Sequence, residues 1–417
     1  MDMILVRGGR PLRGTVQIRG AKNAALPLMA AAILAEETCV LHNVPCLHDI
    51  FSMDKLLAHM GMKIDFTGRS MTLEARPEMT PEAPYDLVRK MRASFFVLGP
   101  LLGRFGRAKV SLPGGCAIGT RPVDIHLDGL QALGASIRIE EGNVIAEGRL
   151  RGSNYALDFP SVGATENLMM AASRANGVTH LTNVAREPEI EDLAKFLNAL
   201  GAQISGAGTD MITVVGVETL GGAEHVVMPD RIEAGTFLAA AVATRGDVTA
   251  LSANADHLPN FLNKLEEAGA EIEVRGTRIR VAASNGIKGI DFTTRPYPGF
   301  ATDLQAQTMA LLTCAQGVSH IKETVFENRF MQAAELTRMG ADIALDGNTA
   351  VVRGVEHLSG APVMASDLRA SAALVVAGLM ASRGETAISR VYHIDRGYER
   401  IEERLSALGA DIERIRE

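Results

Sequence analysis

The residues best placed to do chemistry begin with a thiol. Cys116, in "SLPGGCAIGTRPVD" (Ser111 to Asp124), follows two glycines and precedes Arg121 by five residues. Gly114 and Gly115 supply backbone freedom, so the segment reads as a lid loop whose tip can carry a side chain over a ligand. A thiol beside a guanidinium ionises below its free value of about 8.5, which suits a nucleophile or a proton donor working near neutrality. Cys314, inside the apolar run "MALLTCAQG", reads instead as inert packing.

Arginine is the residue expected where carboxylate or phosphate needs bidentate recognition, and Arg92 ("KMRASF"), Arg121, Arg329 ("FENRF"), Arg369 ("SDLRAS") and Arg396 ("HIDRGYER") are candidates. Lys22 and Asn23 in "RGAKNAALP" open an apolar helix, whose first N–H groups and dipole favour an anion. Any one of these cations alone is ordinarily a solvated surface charge. Five arginines at comparable positions in several units argue for a set. Asp303 ("GFATDLQAQ") and Asp367 ("ASDLRAS") read equally well as general bases and as N-caps, and local pattern leaves both readings open. Ser161 in "SVGATENL" is a cap that could also present backbone groups to a ligand. Neither GxxxxGK[ST] nor GxGxxG follows a strand, which weighs against ATP and dinucleotides. The four cysteines form no CxxC pair and no HExxH accompanies them, so no structural zinc is expected.

The elements that must position these residues come from an internal repeat. "LLAHMGMKI", "LQALGASI", "FLNALGAQI", "LEEAGAEI", "LTRMGADI" and "LSALGADI" share a glycine at 61, 134, 201, 269, 340 and 409, with spacings of 73, 67, 68, 71 and 69 residues. Each copy predicts an amphipathic helix stopped by a left-handed glycine before a strand. A second helix series runs in phase, from "LPLMAAAILAEE" to "ALVVAGLMASRG", and is apolar on nearly every face, which predicts full burial. A 70-residue unit with two helices is too large and mixed for the common solenoids, so the six units read as three plus three around two cores, with "VVMPDRIEAG" as the hinge.

Composition bounds the partners. The 417 residues are 47% hydrophobic and 22% charged with a net charge of −7, so no global basic field recruits nucleic acid or anionic lipid. The longest apolar runs fall short of the roughly 20 residues of a spanning helix, so no membrane insertion is expected. The opening "MDMILVRGGRPLRG" is unlike a secretory signal, and a reduced, cytoplasmic monomer is expected.

Taken in order, "GAKNAALP", "MRAS", "SLPGGCAIGTRPVD", "SVGAT", "AREPEIED", "PDRIEAGTF", "TDLQAQ", "TVFENRFM", "DLRAS" and "YHIDRGYERIE" resemble the enolpyruvyl transferases over the whole chain. The resemblance implies an inside-out α/β barrel architecture: six βαβαββ-type repeats in two similar three-unit domains with an interdomain cleft. It assigns residues 22–229, with the Cys116 loop, to one domain, and residues 1–21 with 230–417 to the other. It implies transfer of the enolpyruvyl group of phosphoenolpyruvate to the 3-hydroxyl of UDP-N-acetylglucosamine with release of phosphate, the first committed step of peptidoglycan synthesis, using no metal or organic cofactor. Cys116 is then the proton donor to the methylene carbon and Asp303 the base for the sugar hydroxyl. Lys22, Arg121 and Arg396 hold phosphate and carboxylate, with Arg92 and Arg369 completing the cationic surroundings. The nucleotide lies along Arg121, Pro122, Val123, Asp124 and Ile125 and along Ser161, Val162 and Gly163, with Val325 near the sugar. Asn23, Arg329 and Asp367 complete the substrate-binding set. "YPGFATD" and "DFPSVGATEN" depart from the family pattern, which touches fine substrate contacts and not the acid, base or clamp. The alternatives are the sister enzyme that uses shikimate 3-phosphate and a non-catalytic nucleotide-sugar-binding regulator on the same scaffold.

Overall fold

A computed structural model describes residues 2–113, 123–284 and 286–416. The repeat is plainest between residues 154 and 215. Strand Asn154–Ala156 leads into the apolar helix Val162–Ala172 and then into strand Val178–Thr182, parallel to the first. The amphipathic helix Pro188–Ala199 follows, and the hairpin Gln203–Ser205 with Met211–Val215 completes an antiparallel edge. The described residues form six such four-stranded sheets.

Two local rules build every copy. The amphipathic helices bury one stripe and stop at glycine: Gly61, Gly134, Gly201, Gly269, Gly340 and Gly409 all lie at positive φ, between 93° and 108°. A Cβ is disfavoured in that region, so glycine ends the helix at little strain. The other series is buried on all sides. In helix Leu368–Met380, residues Arg369 through Leu379 are all buried, and its alanines let neighbours approach closely.

The chain forms two compact units, residues 20–113 with 123–228 and residues 2–19 with 229–416, and it passes from one to the other at Arg19–Gly20 and Met228–Pro229. Each unit has its own core. Around the cores the strands are exchanged along the sequence. Strand Glu224–Val226 pairs in parallel with Cys39–His42, while Arg13–Gln17 pairs in parallel with Asp247–Leu251. Strand Met3–Arg7 lies between Thr386–Ser389 and Asp411–Ile415, antiparallel to both, and supplies the strand the last repeat lacks.

In the unit of residues 229–416, the interior helices Arg231–Ala243, Gln305–Leu312 and Leu368–Met380 pack against one another. Gly235 allows one close approach, since a Cβ there would lie 2.7 Å from the Leu304 side chain. Gly397 does the same beside Leu368, where a Cβ would meet a methyl at 2.6 Å. These contacts seat the turn Thr302–Leu304, which carries Asp303, and the start of the Leu368 helix, which carries Arg369.

Candidate functional site

The interior helices carry polar residues in their first two turns, inside sequences that are otherwise apolar. Lys22 and Asn23 open one, Thr165, Glu166 and Asn167 follow in another, and Thr236, Gln305, Gln307, Arg369 and Ser371 occupy three more. Buried polar groups are costly without partners, so such a pattern marks places where function or a hydrogen-bond network holds them.

In the unit of residues 229–416 the predicted residues Asp303, Arg329 and Arg369 come together. Arg329 Nη2 donates to Asp303 Oδ1 at 2.7 Å, and Arg369 Nη2 donates to Oδ2 at 2.8 Å. Both arginine side chains are nearly buried, while a quarter of the Asp303 side chain is exposed. Burial favours the protonated acid, but the two guanidinium groups outweigh it and hold the Asp303 carboxyl well below the usual carboxylate range. Asp303 makes no capping bond: the turn starts from Ala301 and the following helix from Leu304, neither with a side-chain cap. Asp367 does cap, accepting from the N–H groups of Arg369 at 2.8 Å and Ala370 at 3.0 Å. The same local pattern therefore has two different outcomes.

Glu323, which sequence reasoning passed over, organises the loop that leads to Val325 and Arg329. Its buried carboxylate accepts from Thr294 Oγ1 at 2.6 Å, Thr302 Oγ1 at 2.8 Å and the Val325 N–H at 2.7 Å. It ties the turn before Asp303 to the half-buried Val325. Arg329 also lies over the Phe326 ring, 5.1 Å from its centre. Arg396 ends the turn Val391–Arg396 and is half-buried, and its charge, after burial, lowers the proton affinity of His393.

In the unit of residues 20–228, Lys22 is the first residue of its helix and is nearly buried. Its Nζ donates to Asp49 Oδ2 at 2.9 Å, a partner with no signal in the local sequence. Asn23 beside it is half-buried. Ser161 caps helix Val162–Ala172 through the Ala164 N–H, as its position predicted. Gly163 sits against two rings, since a Cβ there would lie 3.1 Å from Phe96 and 3.5 Å from His126. His126, one turn from the exposed Asp124 and next to Ile125, was not anticipated. Burial and then the Arg92 charge push its pKa down to about 3, so its ring is neutral. Asn167 fixes the tautomer: its Nδ2 donates to Phe95 O and to His126 Nδ1, each at 3.1 Å, leaving the ring proton on Nε2. Asn167 Oδ1 accepts from the Gly99 N–H at 2.6 Å.

Cys116, Arg121 and Pro122 lie outside the described residues. Val123 and Val162 are half-buried. Cys314 is half-buried and not fully enclosed, and its thiol is raised chiefly by burial, in keeping with an unreactive residue. Among the described residues no helix is long and apolar enough to cross a membrane, and no group of three or more His, Cys, Asp or Glu is arranged to hold a metal ion.

The family model described as EPSP synthase (3-phosphoshikimate 1-carboxyvinyltransferase) matches residues 6–405. A UDP-N-acetylglucosamine 1-carboxyvinyltransferase of Desulfosudis oleivorans is 56% identical over 416 residues, covering all of both chains. The chain belongs to the UDP-N-acetylglucosamine 1-carboxyvinyltransferase family. A second member of that family, from Granulibacter bethesdensis, is also 56% identical across the full length of both chains. Among solved structures, the enolpyruvyl transferase NikO from Streptomyces tendae superposes with a TM-score of 0.88 at 25% identity, covering 99% of this chain and 98% of that one. EPSP synthase from Acinetobacter baumannii superposes with a TM-score of 0.76 at 18% identity and full coverage of both, a likeness of fold.

Proposed function

We propose that the protein transfers the enolpyruvyl group of phosphoenolpyruvate to the 3-hydroxyl of UDP-N-acetylglucosamine and releases phosphate, supplying peptidoglycan synthesis in the cytoplasm as a monomer. The observation that carries this reading is the 56% identity to named transferases over the entire chain. The clamped Asp303 adds a chemical reason.

Cys116 gives a proton to the methylene carbon of phosphoenolpyruvate, leaving an oxocarbenium-like centre at the neighbouring carbon. The sugar 3-oxygen bonds to that centre while its proton passes to Asp303. The tetrahedral adduct then loses a proton from the new methyl group and expels phosphate, which restores the double bond. Lys22, Arg92, Arg121 and Arg396 hold the anionic groups of two reactants that repel each other, and Val123 to Ile125 with Ser161 to Gly163 take the nucleotide. With both guanidinium groups directed at it, Asp303 is a weak base in the resting protein. Anionic substrates near Arg329 and Arg369 offset that charge and raise its proton affinity when it is needed.

The test is phosphate release from phosphoenolpyruvate with each acceptor in turn. Release with UDP-N-acetylglucosamine is expected; release with shikimate 3-phosphate alone overturns the reading.

A further inference from the structure

Tyr398 is 1% exposed, and its hydroxyl lies at the meeting point of the three interior helices of its unit. It is 2.8 Å from Thr236 Oγ1, 3.2 Å from Gln307 Nε2 and 3.2 Å from Arg369 Nη1. Donor counting sets the direction of each bond. The Thr236 hydroxyl gives its proton to the Ile232 carbonyl at 2.8 Å. The amide nitrogen of Gln307 and the guanidinium of Arg369 can only donate. The phenol therefore donates to Thr236 and accepts from Arg369, with a shared N–H of Gln307 in reach of its second lone pair.

Arg369 is thereby held at two points. Nη1 is anchored on the phenol, and Nη2 faces Asp303 Oδ2 at 2.8 Å. Gln307 Nε2 also lies 3.0 Å from the Asp303 backbone carbonyl and 3.0 Å from Thr236 Oγ1, so its two N–H groups are shared among three acceptors. The network reaches the aspartate from its main chain and from its side chain. The Arg369 guanidinium is also 5.8 Å from the centre of the Tyr398 ring. A guanidinium facing a carboxylate with one nitrogen unanchored can rotate about its stem, and the carboxylate would follow it.

We propose that Tyr398, held in place by Thr236 and Gln307, is a positioning residue that orients the Asp303 carboxylate through Arg369. This rests on the reading of Asp303 as the base for the acceptor hydroxyl. A phenol that merely satisfied buried donors would matter to stability alone; a positioning phenol matters to turnover, and only while Arg369 is present.

The experiment is a double-mutant cycle in the full-length enzyme with Tyr398→Phe, Arg369→Lys and both together, with kcat and KM measured for phosphoenolpyruvate and UDP-N-acetylglucosamine. Tyr398→Phe keeps the ring and removes the anchor, so kcat is expected to fall about 10- to 100-fold with each KM held within about twofold. The double variant is expected to lose no more than Arg369→Lys alone, since both changes release the same carboxylate. Wild-type kcat in Tyr398→Phe, or losses that multiply in the double variant, would overturn the inference. Should Tyr398→Phe fail to fold, Thr236→Val removes the acceptor of the phenol proton at nearly constant volume. A lower kcat at unchanged KM then supports the inference, and an unchanged kcat refutes it. A wild-type enzyme silent toward the nucleotide sugar is a separate outcome, which removes the functional reading and this inference with it.

Discussion

Two carboxylates, one partly exposed and one fully buried, show how environment assigns roles to one chemical group. Asp303 lies between Arg329 and Arg369 and is held ionised. Asp303→Asn is expected to lower kcat about 10²- to 10⁴-fold, the usual range for loss of a general base, with circular dichroism unchanged. Glu166 is the opposite case. It is fully buried, neither carboxylate oxygen has a hydrogen-bond partner among the described residues, and burial, reinforced by Glu189 and Glu187, raises its proton affinity well above the usual range. Its folded pKa exceeds its unfolded one, so its contribution to stability is full below about pH 4.3 and drains away as pH rises toward the folded value. Glu166→Gln removes that dependence. Urea unfolding at pH 5, 6 and 7 is expected to show the variant gaining on the wild type as the pH rises, by at most about 1.4 kcal/mol per pH unit. A difference that stays constant with pH would mean that Glu166 is ionised in the fold.

At the scale of elements, the amphipathic helices could be read from sequence because their ends are local events. Glycine at the stop and apolar spacing within each turn need no distant partner, and all six predicted glycines have the expected backbone. The interior helices were legible for the same reason, since an all-apolar surface has nowhere to go but inside. Their polar first turns were visible but could not be interpreted from sequence, because a cap and a base look alike there. Asp367 caps the Leu368 helix through two N–H groups. Asp367→Ala is expected to cost about 1 kcal/mol in thermal or urea unfolding, while Asp367→Asn, which keeps an acceptor, stays within a few tenths. Equal losses in the two variants would show that charge at this position, and not the cap, carries the stability.

At the scale of the molecule, strand Met3–Arg7 completes the last repeat, and Met3 pairs with Ile415 on the neighbouring strand. Residues 3 and 415 therefore lie side by side on antiparallel strands. A permuted chain that joins them by a short turn and opens between the exposed Glu141 and Gly142 is expected to keep the wild-type circular dichroism and a single unfolding transition. Deletion of residues 1–8 removes a strand with neighbours on both sides and is expected to abolish folding of the unit that contains it, measured in the same way. The sequence by itself determined what depends on neighbours within a few residues: the repeat, its two kinds of helix, and their stops. Only the tertiary structure decided which aspartate caps and which is clamped, because the partners of Asp303 are 26 and 66 residues away along the chain. It likewise decided which strand completes which sheet. Periodicity and propensity act over one or two turns, whereas an ion pair or a strand pairing depends on where distant segments are packed, which no local pattern records.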